Sequence, residues 1–136
     1  ELKSNEFPFI EFISVPHKIS IQSTAFYTDQ LIEFQEKVPA FTNTSLLHIS
    51  QDLPFAQGRF CAAKGHKGAQ TLSAFRSSFG QDYGLKMANG LLRGLLARCV
   101  IILDENNKVA HLELVSEILN EPNYGRVYEI LQKMAP

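Results

Sequence analysis

The chain has 136 residues, 45% of them hydrophobic and 20% charged, with a formal net charge of −1. That is the composition of an ordinary globular domain with one core, and a single domain over residues 1–136 is expected. The near-neutral balance, without long Lys/Arg runs, argues against nucleic acid or an anionic membrane as partner. No apolar run reaches the roughly 18 to 20 residues of a membrane span, and no export leader is recognisable, so a cytoplasmic protein is expected.

In chain order, Phe9–Val15 (F-I-E-F-I-S-V) reads as a mostly buried strand stopped by Pro16. Ser23 and Thr24 both suit a helix N-cap. From there Tyr27, Leu31, Phe34 and Val38 recur at helical spacing, and Pro39 ends the run. Ser45–Ser50 has the length of a short strand. Asp52 and Pro54 suit the cap and first turn of a helix running toward Ala62. Gly65 and Gly68 punctuate the chain before a short strand over Ala69–Ser73, and Phe79–Tyr83 reads as a helical turn closed by Gly84.

Cys99–Leu103 (C-V-I-I-L) is the strongest strand signal. Asp104–Asn107 reads as a turn, and Lys108–Val115 alternates at period two, so the pair is expected to form a β-hairpin. The last segment puts Tyr124, Val127, Tyr128, Leu131 and Met134 on one helical face behind Pro122. Strands alternating with helices, then a hairpin and a helix, predict an α/β domain with a central mixed sheet flanked by helices.

The four histidines (17, 48, 66 and 111) and two cysteines (61 and 99) show no metal-ligand spacing, and no phosphate-binding glycine loop is present, so neither metal nor cofactor is expected. His17 beside serines lacks the G-x-S-x-G elbow that a hydrolase would need. Cys99, one residue into a strong strand, reads as a core residue. Cys61 is expected to be a free thiol that is not bonded to it.

Four words carry more specific information. They are H-I-S-Q-D-L-P-F-A-Q-G-R-F-C-A-A-K-G from His48, T-L-S-A-F-R from Thr71, G-L-L-A-R-C-V-I-I-L-D-E from Gly94 and E-I-L-N-E-P-N-Y from Glu117. From about Leu47 onward the chain resembles the bacterial thiol peroxidases, atypical two-cysteine peroxiredoxins with a thioredoxin-like fold. Ahead of that, Pro16-His-Lys-Ile-Ser20-Ile-Gln-Ser23 is similar to the peroxiredoxin loop P-x-x-x-[ST]-x-x-C, with serine in place of the attacking cysteine. The family's N-terminal elements are expected to be missing.

The resemblance implies a peroxidase acting on hydrogen peroxide and organic hydroperoxides. Position 23 would be the place of the attacking thiol and Cys61 the resolving thiol. Arg98 would polarise thiolate and peroxide, Ser20 would hydrogen-bond the peroxide, and Pro16 would shield the pocket. The alternative register, extended back from Cys61 without gaps, puts the attack position at Tyr27. The resemblance further implies recycling by thioredoxin, and a homodimer. The attacking thiolate would pass to a sulfenic acid and then to a disulfide with Cys61. Closing the chain between 23 and 61 would contribute about 4 kcal/mol in the chain-entropy picture, before strain. A serine hydroxyl does not ionise near neutrality, so the chain as written is expected to be inactive. A catalytically dead binding or dimerisation module is the second expectation.

Overall fold

The computed structural model describes residues 19–24, 28–63, 70–117 and 119–134. Phe9–Val15 and Pro16, expected as a strand and its stop, lie outside the described residues.

The described elements run β1 (Ile19–Thr24), α1 (Thr28–Lys37), a 3-10 turn (Val38–Ala40), β2 (Thr44–Ser50), α2 (Pro54–Ala63), β3 (Thr71–Ser73), α3 (Phe79–Asp82), β4 (Cys99–Leu103), β5 (Val109–Leu114) and α4 (Tyr124–Met134). The sheet order is β3-β2-β1-β4-β5. β1, β2 and β3 are parallel, β4 runs antiparallel to β1, and β5 closes the hairpin on β4. This is the mixed sheet that the alternation of strand and helix implied, with α1 and α2 as the crossovers parallel strands require.

β4 is buried along its whole length, which is why C-V-I-I-L shows no alternation. Its odd residues Cys99, Ile101 and Leu103 join Leu47, Ile49 and Leu72 on one face, under Phe79, Leu85 and Leu96. Its even residues Val100 and Ile102 join Ile19 and Ile21 on the other face, under Phe34, Val38, Val127 and Leu131. β5, at the sheet edge, departs from the covered apolar face that its alternation suggests: Val109, Leu112 and Leu114 are exposed, while His111 and Glu113 are half-buried. The hairpin turn is held by Asp104, whose Oδ1 accepts from the backbone N–H groups of Asn106 (2.8 Å) and Lys108 (2.9 Å), while Asn107 takes φ +62°. An aspartate that folds back on its own turn replaces the Asn-Gly pair that such a hairpin otherwise favours.

A further expectation changes. Ser23 and Thr24, suited to a helix N-cap, are the last residues of β1 and are fully buried; α1 begins only at Thr28. Local preference for a cap loses to the pairing of β1 on both edges, with Ser23 opposite His48 on one side and Val100 on the other. At the far end of α1, Pro39 ends the helix as expected, through a 3-10 turn in which the Phe41 N–H donates to the Val38 carbonyl (2.9 Å).

α1 docks on the sheet through Phe34, which meets Tyr124 and Tyr128 of α4 edge-on at centroid distances of 5.4 and 6.3 Å. Phe34→Ala is expected to cost about 3–5 kcal/mol, read as a lower urea midpoint at unchanged slope; a loss below about 1 kcal/mol would mean α1 and α4 do not share this core.

Candidate functional site

The polar side chains buried around Arg98 sit at the C-terminal end of the parallel strands, where β1 gives way to α1. Open α/β sheets place their ligands at this edge. Arg98 directly precedes β4, which opens opposite Thr24, so the sheet register itself carries the guanidinium to the N-terminal turn of α1. Its side chain is 2% exposed. Nε donates to Gln30 Oε1 (2.7 Å), and Nη2 donates to Asp29 Oδ1 (3.1 Å). Gln30, itself fully buried, turns its amide nitrogen to Ser23 Oγ at 2.6 Å. Because Ser23 accepts there, the Gln30 oxygen must face Arg98, and a chain Ser23–Gln30–Arg98–Asp29 fixes the cation in one orientation.

Thr24 clamps the strand around the arginine. Its hydroxyl donates to the carbonyl of Ala97 (2.6 Å) and lies 3.2 Å from that of Cys99, the residues flanking Arg98. On the solvent side, Tyr124 donates its hydroxyl to Glu121 (2.9 Å), and Glu121 lies against Asp29. Burial raises the Tyr124 hydroxyl well above its ordinary value; the Glu121 hydrogen bond and the charges of Glu121 and Asp29 add to that, with Arg98 opposing. Burial would likewise push the Asp29 carboxyl up. The Gln30 N–H (2.9 Å), the charge and N–H of Arg98 and a hydrogen bond with Glu121 together outweigh it, and Asp29 is held below its ordinary 3.8.

The expected site residues divide. Ser23 and Arg98 are joined through Gln30. Ser23 does not, however, stand at a helix N-terminus: it is a buried strand residue with its oxygen engaged. Ser20 pairs with Leu103, three residues back along β1 and roughly 10 Å from Ser23. Thr24 is the β1 hydroxyl beside the arginine. Pro16 lies outside the described residues. Cys61 is a half-buried free thiol on α2, and Cys99 is a buried free thiol of β4. α2 is anchored by the buried Gln57, whose amide donates to Ser50 Oγ (3.0 Å) and the Leu72 carbonyl (2.9 Å). Asp29 and Gln30 were not singled out from the sequence, and Glu121 and Tyr124, although they stand in the E-I-L-N-E-P-N-Y word, were not assigned to the site.

An α/β domain with this sheet order and a buried arginine at the strand-to-helix junction defines a thioredoxin-like class. Residues 23–128 match the Redoxin family model, and the chain belongs to that family. It is 52% identical over 92 residues to a thiol peroxidase of Corynebacterium glutamicum, covering 68% of this chain and 56% of that protein. It is 48% identical over 91 residues to one of Mycobacterium tuberculosis, covering 67% and 54%. The chain thus spans a little over half the length of these curated relatives. The structure is similar to a peroxiredoxin-like protein from Aquifex aeolicus, with TM-score 0.79, 32% identity and coverage of 87% and 72%. A thiol peroxidase from Chromobacterium violaceum shares the fold, with TM-score 0.78, 21% identity and coverage of 90% and 75%. Among the described residues no helix is long and apolar enough to cross a membrane.

Two measurements follow. Burial, with the Glu113 charge adding, pushes the Cys99 thiol up to about 12, and such thiols are inert. A chromogenic disulfide reagent at pH 8 should therefore titrate one thiol, Cys61, in the native protein and both in denaturant; two native thiols would contradict the packing of β4. Asp29, with its folded value depressed, stabilises the fold fully above its unfolded 3.8 and loses that contribution as pH falls through the folded value. The stability difference between the protein and Asp29→Asn should be flat from about pH 5 upward and shrink below 3.8; a difference that grows on acidification would reverse the assignment.

Proposed function

We propose that this chain is the scaffold of a thiol peroxidase that reduces hydrogen peroxide and organic hydroperoxides, with Arg98 as the electrophilic residue and Cys61 as the resolving thiol. The observation that carries the reading is Arg98, buried and aimed at the N-terminal turn of α1, in a Redoxin chain about 50% identical to thiol peroxidases. An attacking thiolate needs a helix N-terminus and a nearby cation to lower its pKa from about 8.5. Both are found where β1 hands over to α1.

The same argument moves the attack position. Ser23 is enclosed in β1 and bonded to Gln30, whereas position 27 directly precedes the first residue of α1. The register extended from Cys61 therefore replaces the one anchored on Pro16 and Ser20, and Thr24 replaces Ser20 as the hydroxyl beside the arginine. Either way the residue is Ser or Tyr, so the chain as written has no activated thiol; burial raises the remaining accessible thiol, Cys61, above its ordinary value. Thioredoxin as reductant, a homodimer and a cytoplasmic setting belong to the same reading. The absence of cysteine at both positions favours a second one, a redoxin-shaped module that binds without turnover.

The test is peroxide consumption coupled to thioredoxin and its reductase. The chain as it stands should show none, Tyr27→Cys should restore turnover, and Ser23→Cys should not. On the active background, Arg98→Ala should lower kcat/KM by about 10²–10³. Turnover in Ser23→Cys alone would return the attack position to β1; a folded Tyr27→Cys protein without turnover would leave the non-catalytic module standing.

A further inference from the structure

β5 is the outer strand of the sheet, and its two faces are covered unequally. Strand register puts His111 and Glu113 on the face of Ile102 and Val100, and Leu112 and Leu114 on the face of Ile101 and Cys99. On the first face α4 reaches β5: both Glu113 oxygens accept the Asn123 N–H just ahead of the helix, at 3.0 Å each. On the second face the buried core stops at β4, and Val109, Leu112 and Leu114 are 51, 45 and 53% exposed. The backbone is open as well. The Val115 N–H donates to the Arg98 carbonyl (2.9 Å), and antiparallel alternation then turns the N–H and C=O groups of Leu112 and Leu114 away from β4. Among the described residues no strand pairs with them, and no Pro or Lys stands between Val109 and Leu114 to blunt that edge.

We propose that β5 is the interface through which two copies of this chain pair, antiparallel and edge to edge, with the twofold axis at Leu112. The strand's own residues choose the partner and the register. A strand that pairs with its copy has to set outward-facing residues opposite one another. Leu112 opposite the partner's Leu114 would satisfy the backbone but bring Glu113 against the partner's Glu113, and like charges directly opposite are destabilising. Leu112 opposite the partner's Leu112 instead sets Glu113 against the partner's His111, twice, with the leucines together on the other face. The imidazole gives up no hydrogen bond at Nε2 in turning to that carboxylate, because His111 Nε2 is buried without a partner among the described residues. The bulge between Ile102 and Leu103 falls toward the start of β5, clear of the axis. Six residues of strand are far fewer than the about 20–30 a side of a standard interface, so the dimer forms and dissociates with concentration. In giving a surface to the homodimer, the inference rests on that part of the proposed function and not on its peroxide chemistry.

Sedimentation velocity on the chain as it stands, over a dilution series reaching millimolar protein, should show a reversible monomer–dimer equilibrium. Over the same series hydrogen exchange at the Leu112 and Leu114 amides should slow with concentration, while that at Glu113, whose N–H faces β4, stays unchanged. Leu112→Lys, which sets two ammonium groups on the axis, should weaken the dimer at least about tenfold. Crosslinking in a Cys61→Ser background reads the register: Leu112→Cys should give a disulfide-linked dimer on oxidation with diamide, and Leu114→Cys should not. A chain that stays monomeric at millimolar concentration overturns the proposal. Leu112 and Leu114 amides protected at every concentration overturn it too, and mark another segment of the same chain on β5. A dimer that survives Leu112→Lys, or one crosslinked through Leu114→Cys and not Leu112→Cys, pairs elsewhere and has the same consequence. If Leu112→Lys fails to fold, the exchange and crosslinking results decide alone. Turnover in Tyr27→Cys is measured separately, so a dimer without peroxidase activity is told apart from an active enzyme that does not pair through β5.

Discussion

Burying one guanidinium organises this end of the molecule. Taking Arg98 out of water costs several kcal/mol, and that cost is met only if its donors find acceptors in fixed places. Two of the acceptors, Asp29 and Gln30, are successive residues in the first turn of α1. The helix cannot slide or rotate on the sheet without stranding the charge. Apolar packing through Leu31 and Phe34 supplies most of the attraction between α1 and the sheet; Arg98 supplies the register.

The same device recurs beneath both crossover helices. Ser23, His48 and Ser50 are buried polar residues of the sheet, and each receives a glutamine: Gln30 at Ser23 (2.6 Å), Gln35 at His48 (3.2 Å) and Gln57 at Ser50 (3.0 Å). A long amide can reach over a backbone and offers a donor and an acceptor at once. It gives a polar side chain of the sheet a hydrogen bond in low dielectric. These pairs explain why the D-L-P-F-A-Q-G-R-F-C word contains a glutamine at its centre. Gln57 fixes α2, and with it Cys61, to β2 and β3.

Elements whose evidence is local were legible in the sequence. The hairpin of Cys99–Leu103 and the alternating strand after it, the helix from Tyr124 and the helix from Pro54 each carry their own periodicity, and the structure has them within a residue or two. The start of α1 was not legible, because Ser23 and Thr24 are good caps by type and nothing nearby in sequence shows that they pair with Val100 and Cys99. The site divides in the same way. Arg98 stood out through its word, but its partners lie 68 and 69 residues away, and no spacing rule links an arginine before a strand to the first turn of a helix so remote. Thr24 was in view and assigned to a cap; it became a site residue only when strand register set it against Ala97 and Cys99.

The charge balance around Arg98 bears on the proposed attack position. In a working peroxidatic site the cation beside the helix N-terminus is balanced by the thiolate it helps to ionise. On the peroxidase reading that anion is absent here, because positions 23 and 27 carry hydroxyl residues, yet the guanidinium stays buried. A buried cation stripped of its counter-charge destabilises a fold by about 3–5 kcal/mol, so another anion must stand in. Asp29 meets the requirement: it sits two residues beyond position 27, at the same favourable helix end, with its carboxyl held ionised by Arg98 and the Gln30 N–H. A thiolate restored at position 27 would have to share one arginine with a carboxylate already in place. Activation there would then fall short of what Arg98 could give alone.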